Sequence, residues 1–171
     1  YVFAKYRIAG KQEYQIPILL RMRLSGKMHN RQWVRHYFKA GFLQLWGLKE
    51  ISIPDTVTTI ESGAFGGTGI SEFAYPPHVT AINGLGDMPR LTRVEIGENA
   101  VSVTGMGNCP LLETLIIRAT TPPTTDYWTL LNAPRIPNIY VPDTAVSAYK
   151  TASGWSKWAA YIRPISEMVE N

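Results

Sequence analysis

The sequence predicts a repeat solenoid, mainly β with short irregular and helical segments, of about five units. Three observations predict it. The pattern apolar-x-x-apolar-x-apolar occurs at 48–53 (LKEISI), 70–75 (ISEFAY), 91–96 (LTRVEI), 112–117 (LETLII) and 136–141 (IPNIYV), with starts 22, 21, 21 and 24 residues apart. Turn-forming residues follow most copies: Pro54-Asp55, Pro76-Pro77, Gly97 and Pro142-Asp143. The 14 Gly and 12 Pro in 171 residues favour many short elements over a few long helices.

The physics of each unit follows from its pattern. Apolar-x-apolar is the period of a short strand whose side chains alternate between two faces. A second apolar pair follows each of the first three copies, Val57 and Ile60, Val79 and Ile82, Ala100 and Val103, and then a single apolar residue, Phe65, Leu85 and Met106. Glycines close the units at 66–67, 84 and 86, and 105 and 107, where tight corners need positive φ. No Gly-Lys-Ser/Thr follows these glycines, so a phosphate loop is disfavoured. A single unit cannot bury its apolar stripe, so neighbours must stack on one continuous core.

Taken in order, residues 1–40 form a basic N-terminal segment outside the clean repeat. Val2, Ala4, Tyr6 and Ile8 alternate with Tyr1, Phe3, Lys5 and Arg7, which reads as a strand, and 9–12 as its turn. A second strand over 14–24, with Pro17 at an edge or bulge, would complete a β-hairpin cap or the remnant of a preceding domain. Trp33, Val34, Tyr37, Phe38, Gly41, Phe42, Leu45 and Trp46 fit a helical stripe, or a degenerate unit from Val34 onward, the reading we favour. Residues 41–142 are the repeat array, and Pro-rich 121–132 is its expected irregular bulge. Residues 143–171 form the C-terminal cap that such an array needs at its end. There Asp143 or Thr144 would N-cap a short helix, Ser153-Gly154 would end it, and Trp155 and Trp158 would seal the core.

Composition bounds the function. The 45% hydrophobic content supports a core and excludes wholesale disorder. No apolar run approaches the ~20 residues of a membrane-spanning helix. One Cys excludes an intrachain disulfide, a Cys-based zinc finger and an iron–sulfur cluster. Charge is split along the chain: residues 1–50 carry ten Lys/Arg against two acids, +8, and residues 51–171 carry seven against eleven, −4. The chain starts on Tyr with no leader pattern, as a mature product or an excised fragment would.

Few constellations carry chemistry. A basic patch of Arg21, Arg23, Lys27, Arg31, Arg35 and Lys39, with His29 and His36 and with Trp33, Tyr37 and Phe38 nearby, could meet phosphates and stack bases. It matches no nucleic-acid motif, so nucleic acid is disfavoured, and an acidic partner or a plain solvated face remains. The three His have no metal-ligand spacing. Cys109 reads as a small buried corner residue rather than a nucleophile, and neither cofactor nor metal is expected. Asp55 and Asp143 occupy equivalent places after Pro, which argues for a shared turn role over a catalytic pair. The best binding candidate is the outward side of the strands. One column there is Glu50, Glu72, Arg93, Thr114 and Asn138; the other is Ser52, Ala74, Glu95, Ile116 and Tyr140, with Ile116 beside Tyr140 expected as an exposed apolar step.

The residues 53–60 (IPDTVTTI), 63–65 (GAF) and 108–115 (NCPLLETL) resemble the leucine-rich repeats of BspA-like bacterial surface proteins of the Bacteroides and Treponema type. The stretch 139–156 resembles the closing segment of such arrays, so the likeness spans about 40–166. It implies a right-handed solenoid with a curved parallel sheet, capped at both ends, and no catalytic residues. It also implies an extracellular or cell-surface location and adhesion to a host protein or glycan. A monomer or weak oligomer is expected rather than an obligate oligomer. The alternative is a structural or assembly component of a phage or envelope particle, docking through the basic N-terminal segment.

Overall fold

The alternating apolar pattern is realised as short strands in a mainly β, largely parallel structure with few helices. The structure is a computed structural model that describes residues 3–6, 14–17, 22–24, 49, 57–60, 64–126, 129–130 and 133–169. In chain order its elements are β1 (Phe3–Tyr6), β2 (Tyr14–Pro17), β3 (Met22–Leu24), β4 (Val57–Ile60), β5 (Glu72–Ala74), β6 (Ala81–Ile82), β7 (Arg93–Ile96), β8 (Ser102–Val103), β9 (Thr114–Ile117), β10 (Thr124–Thr125), β11 (Asn138–Val141), α1 (Val146–Thr151) and β12 (Ile162–Pro164). Turns of 3-10 helix precede and follow α1 and follow β12.

From β5 to β11 successive strands alternate between two sheets. The first sheet has the order β12-β11-β9-β7-β5, all parallel; the second has the order β10-β8-β6-β4-β3, parallel except for the antiparallel β3–β4 pair. Register follows the sequence repeat: Phe73, Val94, Leu115 and Ile139 lie opposite one another, as do Ile82 and Val103. Segments 19 to 22 residues apart are also tied outside the ladders, by Phe65 N–H to Gly84 O, Gly67 N–H to Asp87 O and Thr104 N–H to Ile82 O.

One hydrophobic cluster receives side chains from both sheets. Phe73, Val94, Leu115 and Ile139 enter it from the first, Ile82 and Val103 from the second, and Phe65, Leu85 and Met106 from the connections. Each such aliphatic side chain contributes ~1.5–3 kcal/mol by leaving water. Leu85 and Met106 are aimed inward by Gly84 and Gly105, whose φ of +95° and +67° a side chain would strain. Polar side chains satisfy backbone at the unit boundaries: Asn99 Nδ2 donates to Pro77 O at 3.0 Å, and Thr92 Oγ1 donates to Ser71 O at 2.9 Å. The Tyr75 hydroxyl donates to the Asn83 carbonyl.

Three expectations are corrected and one element is added. The returning strand predicted over 14–24 is two strands: β2 pairs antiparallel with β1 and ends at Pro17, while β3 pairs with β4. Proline offers no N–H to continue a ladder. The bulge expected over 121–132 keeps two residues in line, since β10 extends the second sheet beside β8. Its anchors are the Thr124 N–H to Val101 O bond and the buried Thr129 hydroxyl, which bonds Val103 O at 3.1 Å. Neither Asp143 nor Thr144 caps α1 with its side chain; Pro142 precedes a 3-10 turn that runs into the helix, and Gly154 sits in the turn beyond it. Finally, the C-terminal segment adds a strand, β12, to the edge of the first sheet. Before it, Trp155 is fully buried and packs edge-on to Tyr149 and Trp158.

Candidate functional site

The two columns predicted on the strands are aligned by backbone register alone. Glu72, Arg93, Thr114 and Asn138 lie opposite one another across β5, β7, β9 and β11, and so do Ala74, Glu95, Ile116 and Tyr140. Alternation decides their direction: Val94 and Ile96 enter the core, so Arg93 and Glu95 point away from it. β12 adds Arg163 beside Tyr140. The other two members of these columns, Glu50 and Ser52, lie outside the described residues. So do Asp55, Arg21, Lys27, His29, Arg31, Trp33, Arg35, His36, Tyr37, Phe38 and Lys39, while Arg23 falls within β3.

The face carries charge around an apolar centre. Arg118, next after β9, donates from Nε to Glu95 Oε1 at 2.6 Å, an ion pair whose side chains are 50% and 31% exposed. At that exposure it contributes at most ~1 kcal/mol and serves mainly to hold both groups in place. Ile116 corrects the prediction of an exposed apolar step. It is 0% exposed, yet it is not part of the cluster between the sheets. It is therefore covered on its outward side, and the chain returns to this face after β12, where Met168 Sδ lies 3.9 Å from Arg93 Nη1. Tyr140, its column neighbour, is only half-buried.

Sequence reasoning missed Met168, Ser166, Arg118 and Arg163 as parts of this face. One signal was present: Leu115-Ile116-Ile117 is a continuous apolar run, the mark of a strand buried on both sides. Ser166 donates its backbone N–H to Asp143 Oδ1 at 3.2 Å, and Asp143 takes this role instead of a helix cap. Hydrogen bonds from the Ser166 side chain and backbone hold the Asp143 carboxyl below its usual 3.8.

The other candidates from the sequence are dispersed. His78 lies in the turn after β5, and Cys109 is buried with its thiol donating to Leu85 O at 2.9 Å. Burial pushes that thiol up to about 11, against a smaller lowering by the Met88 backbone, so it is protonated at neutral pH. Among the described residues no three His, Cys, Asp or Glu side chains are grouped to hold a metal ion, and no helix is long and apolar enough to cross a membrane. The chain matches no protein-family model and no curated protein.

Proposed function

We propose that the chain is a leucine-rich-repeat-like solenoid of about five units, capped at both ends, that works without catalysis as a binding module. Its contact surface is the outward face of the first sheet, and its ligand is a protein or glycan met outside the cell, at a bacterial surface. The observation that carries this reading is the alignment of two four-residue columns on parallel strands, with charged groups around one apolar side chain. A set of side chains held in register on paired strands is pre-organised, so little entropy is lost when a partner covers it. The surface-protein resemblance at 53–60, 63–65 and 108–115 supplies the location and the class of partner.

The test probes arrays of glycans and of extracellular-matrix proteins with the full chain, with Glu72→Lys/Asn138→Lys, and with Lys150→Glu on α1 as an off-face control. Binding lost in the first variant and kept in the second supports the reading. Arrays that show no binding, or binding indifferent to the face, overturn it.

The concentration of +8 in residues 1–50 favours a second reading, an assembly component that docks through that segment. Light scattering with and without residues 1–40 separates the two. An oligomer that becomes monomeric on removal supports assembly.

A further inference from the structure

Three anchors trace the chain across the outward face after β12. Pro164 lies beside Val141. Two residues later Ser166 N–H meets Asp143 Oδ1, just past the end of β11. Two residues further Met168 reaches Arg93, the first residue of β7. Residues 165–168 therefore pass diagonally over β11 and β9, and the residue at the middle of the outward column below them is Ile116.

This crossing strap is lightly held. None of residues 165–167 is buried, Met168 is half-buried, and Val169 is 78% exposed. Ile116 beneath it is wholly shielded from water. A short segment thus lies by an apolar spot whose surroundings are of mixed charge: Arg93 touches the strap and Arg163 continues the column, while Glu95 beside Ile116 is neutralised by its ion pair with Arg118. The strap's own chemistry is complementary, with Ile165, Met168 and Val169 interleaved with Glu167 and followed by Glu170.

We propose that the outward face is a site for a short acidic, aliphatic peptide segment, and that residues 165–168 fill it in cis as an internal ligand. The proposal rests on the reading that this face is the contact surface, and adds the chemistry of its partner. The partner displaces the strap and places an aliphatic or thioether side chain over Ile116, with a carboxylate at Arg93, which the strap now meets, or at Arg163.

The test keeps the full chain. Ser166→Pro removes the N–H that Asp143 accepts, and Asp143→Ala removes the acceptor, so two independent variants release the strap. Ile116→Cys in each background reports cover through the rate of thiol alkylation, with buried Cys109 as the slow internal reference. The expected result is a rate at least tenfold higher in the released backgrounds. A fluorescent peptide PISEMVE, copied from residues 164–170, is expected to bind the released chains at least tenfold more tightly than the wild type. Equal alkylation in all backgrounds, or a peptide that binds neither released chain, overturns the proposal. If that failure comes with face-dependent glycan or matrix-protein binding intact, the internal ligand is lost and the contact-face reading survives. If face-dependent binding fails too, both are lost. Release that instead produces concentration-dependent self-association, without peptide binding, assigns the face to a second copy and also overturns it.

Discussion

Asn108 and Asp87, 21 residues apart, both adopt a φ of +59°, and the Asn108 side-chain amide donates to Asp87 Oδ1 at 2.8 Å. Each sits just before the buried residue that closes its corner, Cys109 and Met88. Left-handed backbone costs ~1–2 kcal/mol for most side chains, and Asn and Asp tolerate it best. Asn108→Val should therefore lower unfolding free energy by ~1–2 kcal/mol, and Asn108→Gly by less, since Gly relieves the backbone while losing the amide bond. Urea unfolding of the two variants checks the order; equal losses would show that the hydrogen bond, not the backbone, dominates.

Trp155 fastens the C-terminal segment to the loop before β10. Its indole Nε1–H donates to the buried Pro123 carbonyl at 2.6 Å, and its ring is fully enclosed. Trp155→Phe keeps an aromatic ring and strands the carbonyl, for an expected loss of ~1–3 kcal/mol. Trp155→Ala should lose ~3–5 kcal/mol. A Phe variant as stable as wild type would mean that water reaches Pro123.

Gly154 faces Thr125 of β10 at close quarters. Its φ is +84°, and a Cβ there would stand 2.6 Å from Thr125 Cγ2. Gly154→Ala is expected to cost more than the ~1–2 kcal/mol of left-handed backbone alone, because the methyl must also displace Thr125. Thr125→Ser removes Cγ2 while keeping the hydroxyl that bonds Thr129, so the double variant should recover the steric part. Calorimetric unfolding of both variants measures that recovery; strictly additive losses would place the clash elsewhere.

Cys109 sets a sign on the alkaline side. Its folded value of about 11 lies above the ordinary 9.0, because burial penalises the thiolate. The folded state thus holds the proton more tightly, so this contribution is complete below about 9 and falls away as pH rises from 9 towards 11. Tyr75 and Tyr149, both raised by burial, act in the same direction and remain in a Cys109→Ala variant. That variant should lose stability less steeply between pH 9 and 10.5, the expected window set by the 9.0 and 11 limits. Identical slopes in guanidinium unfolding would refute the assignment.

The parts legible in the sequence are those written in side-chain alternation. β5, β7, β9 and β11 follow from Phe73, Val94 with Ile96, Leu115 with Ile117, and Ile139 with Val141, because each buries the residues that the pattern marks as apolar. β10 was illegible because Thr124-Thr125 carries no apolar signal; backbone pairing to β8 and the Thr129 hydroxyl place it. β12 was hidden by its Pro164 and by a single buried residue, Ile162. Eight residues of the two columns lie in the register expected of them, since register follows from the repeat. Their exposure was not legible, because the burial of Ile116 depends on how distant segments pack on this face, and no local pattern encodes that.

Strand spacing turns the outward column into a ruler. From Ala74 to Tyr140 the column crosses three strand gaps, about 14 Å at ~4.8 Å per gap, which is the length of roughly four extended residues. The segment near it spends three of its residues in a 3-10 turn, and among the described residues its last contact along the ruler is with Arg93. The last graduation, at Glu72 and Ala74, is left exposed. A visitor able to lie straight along all four marks would have one more rung to hold than the occupant it replaces.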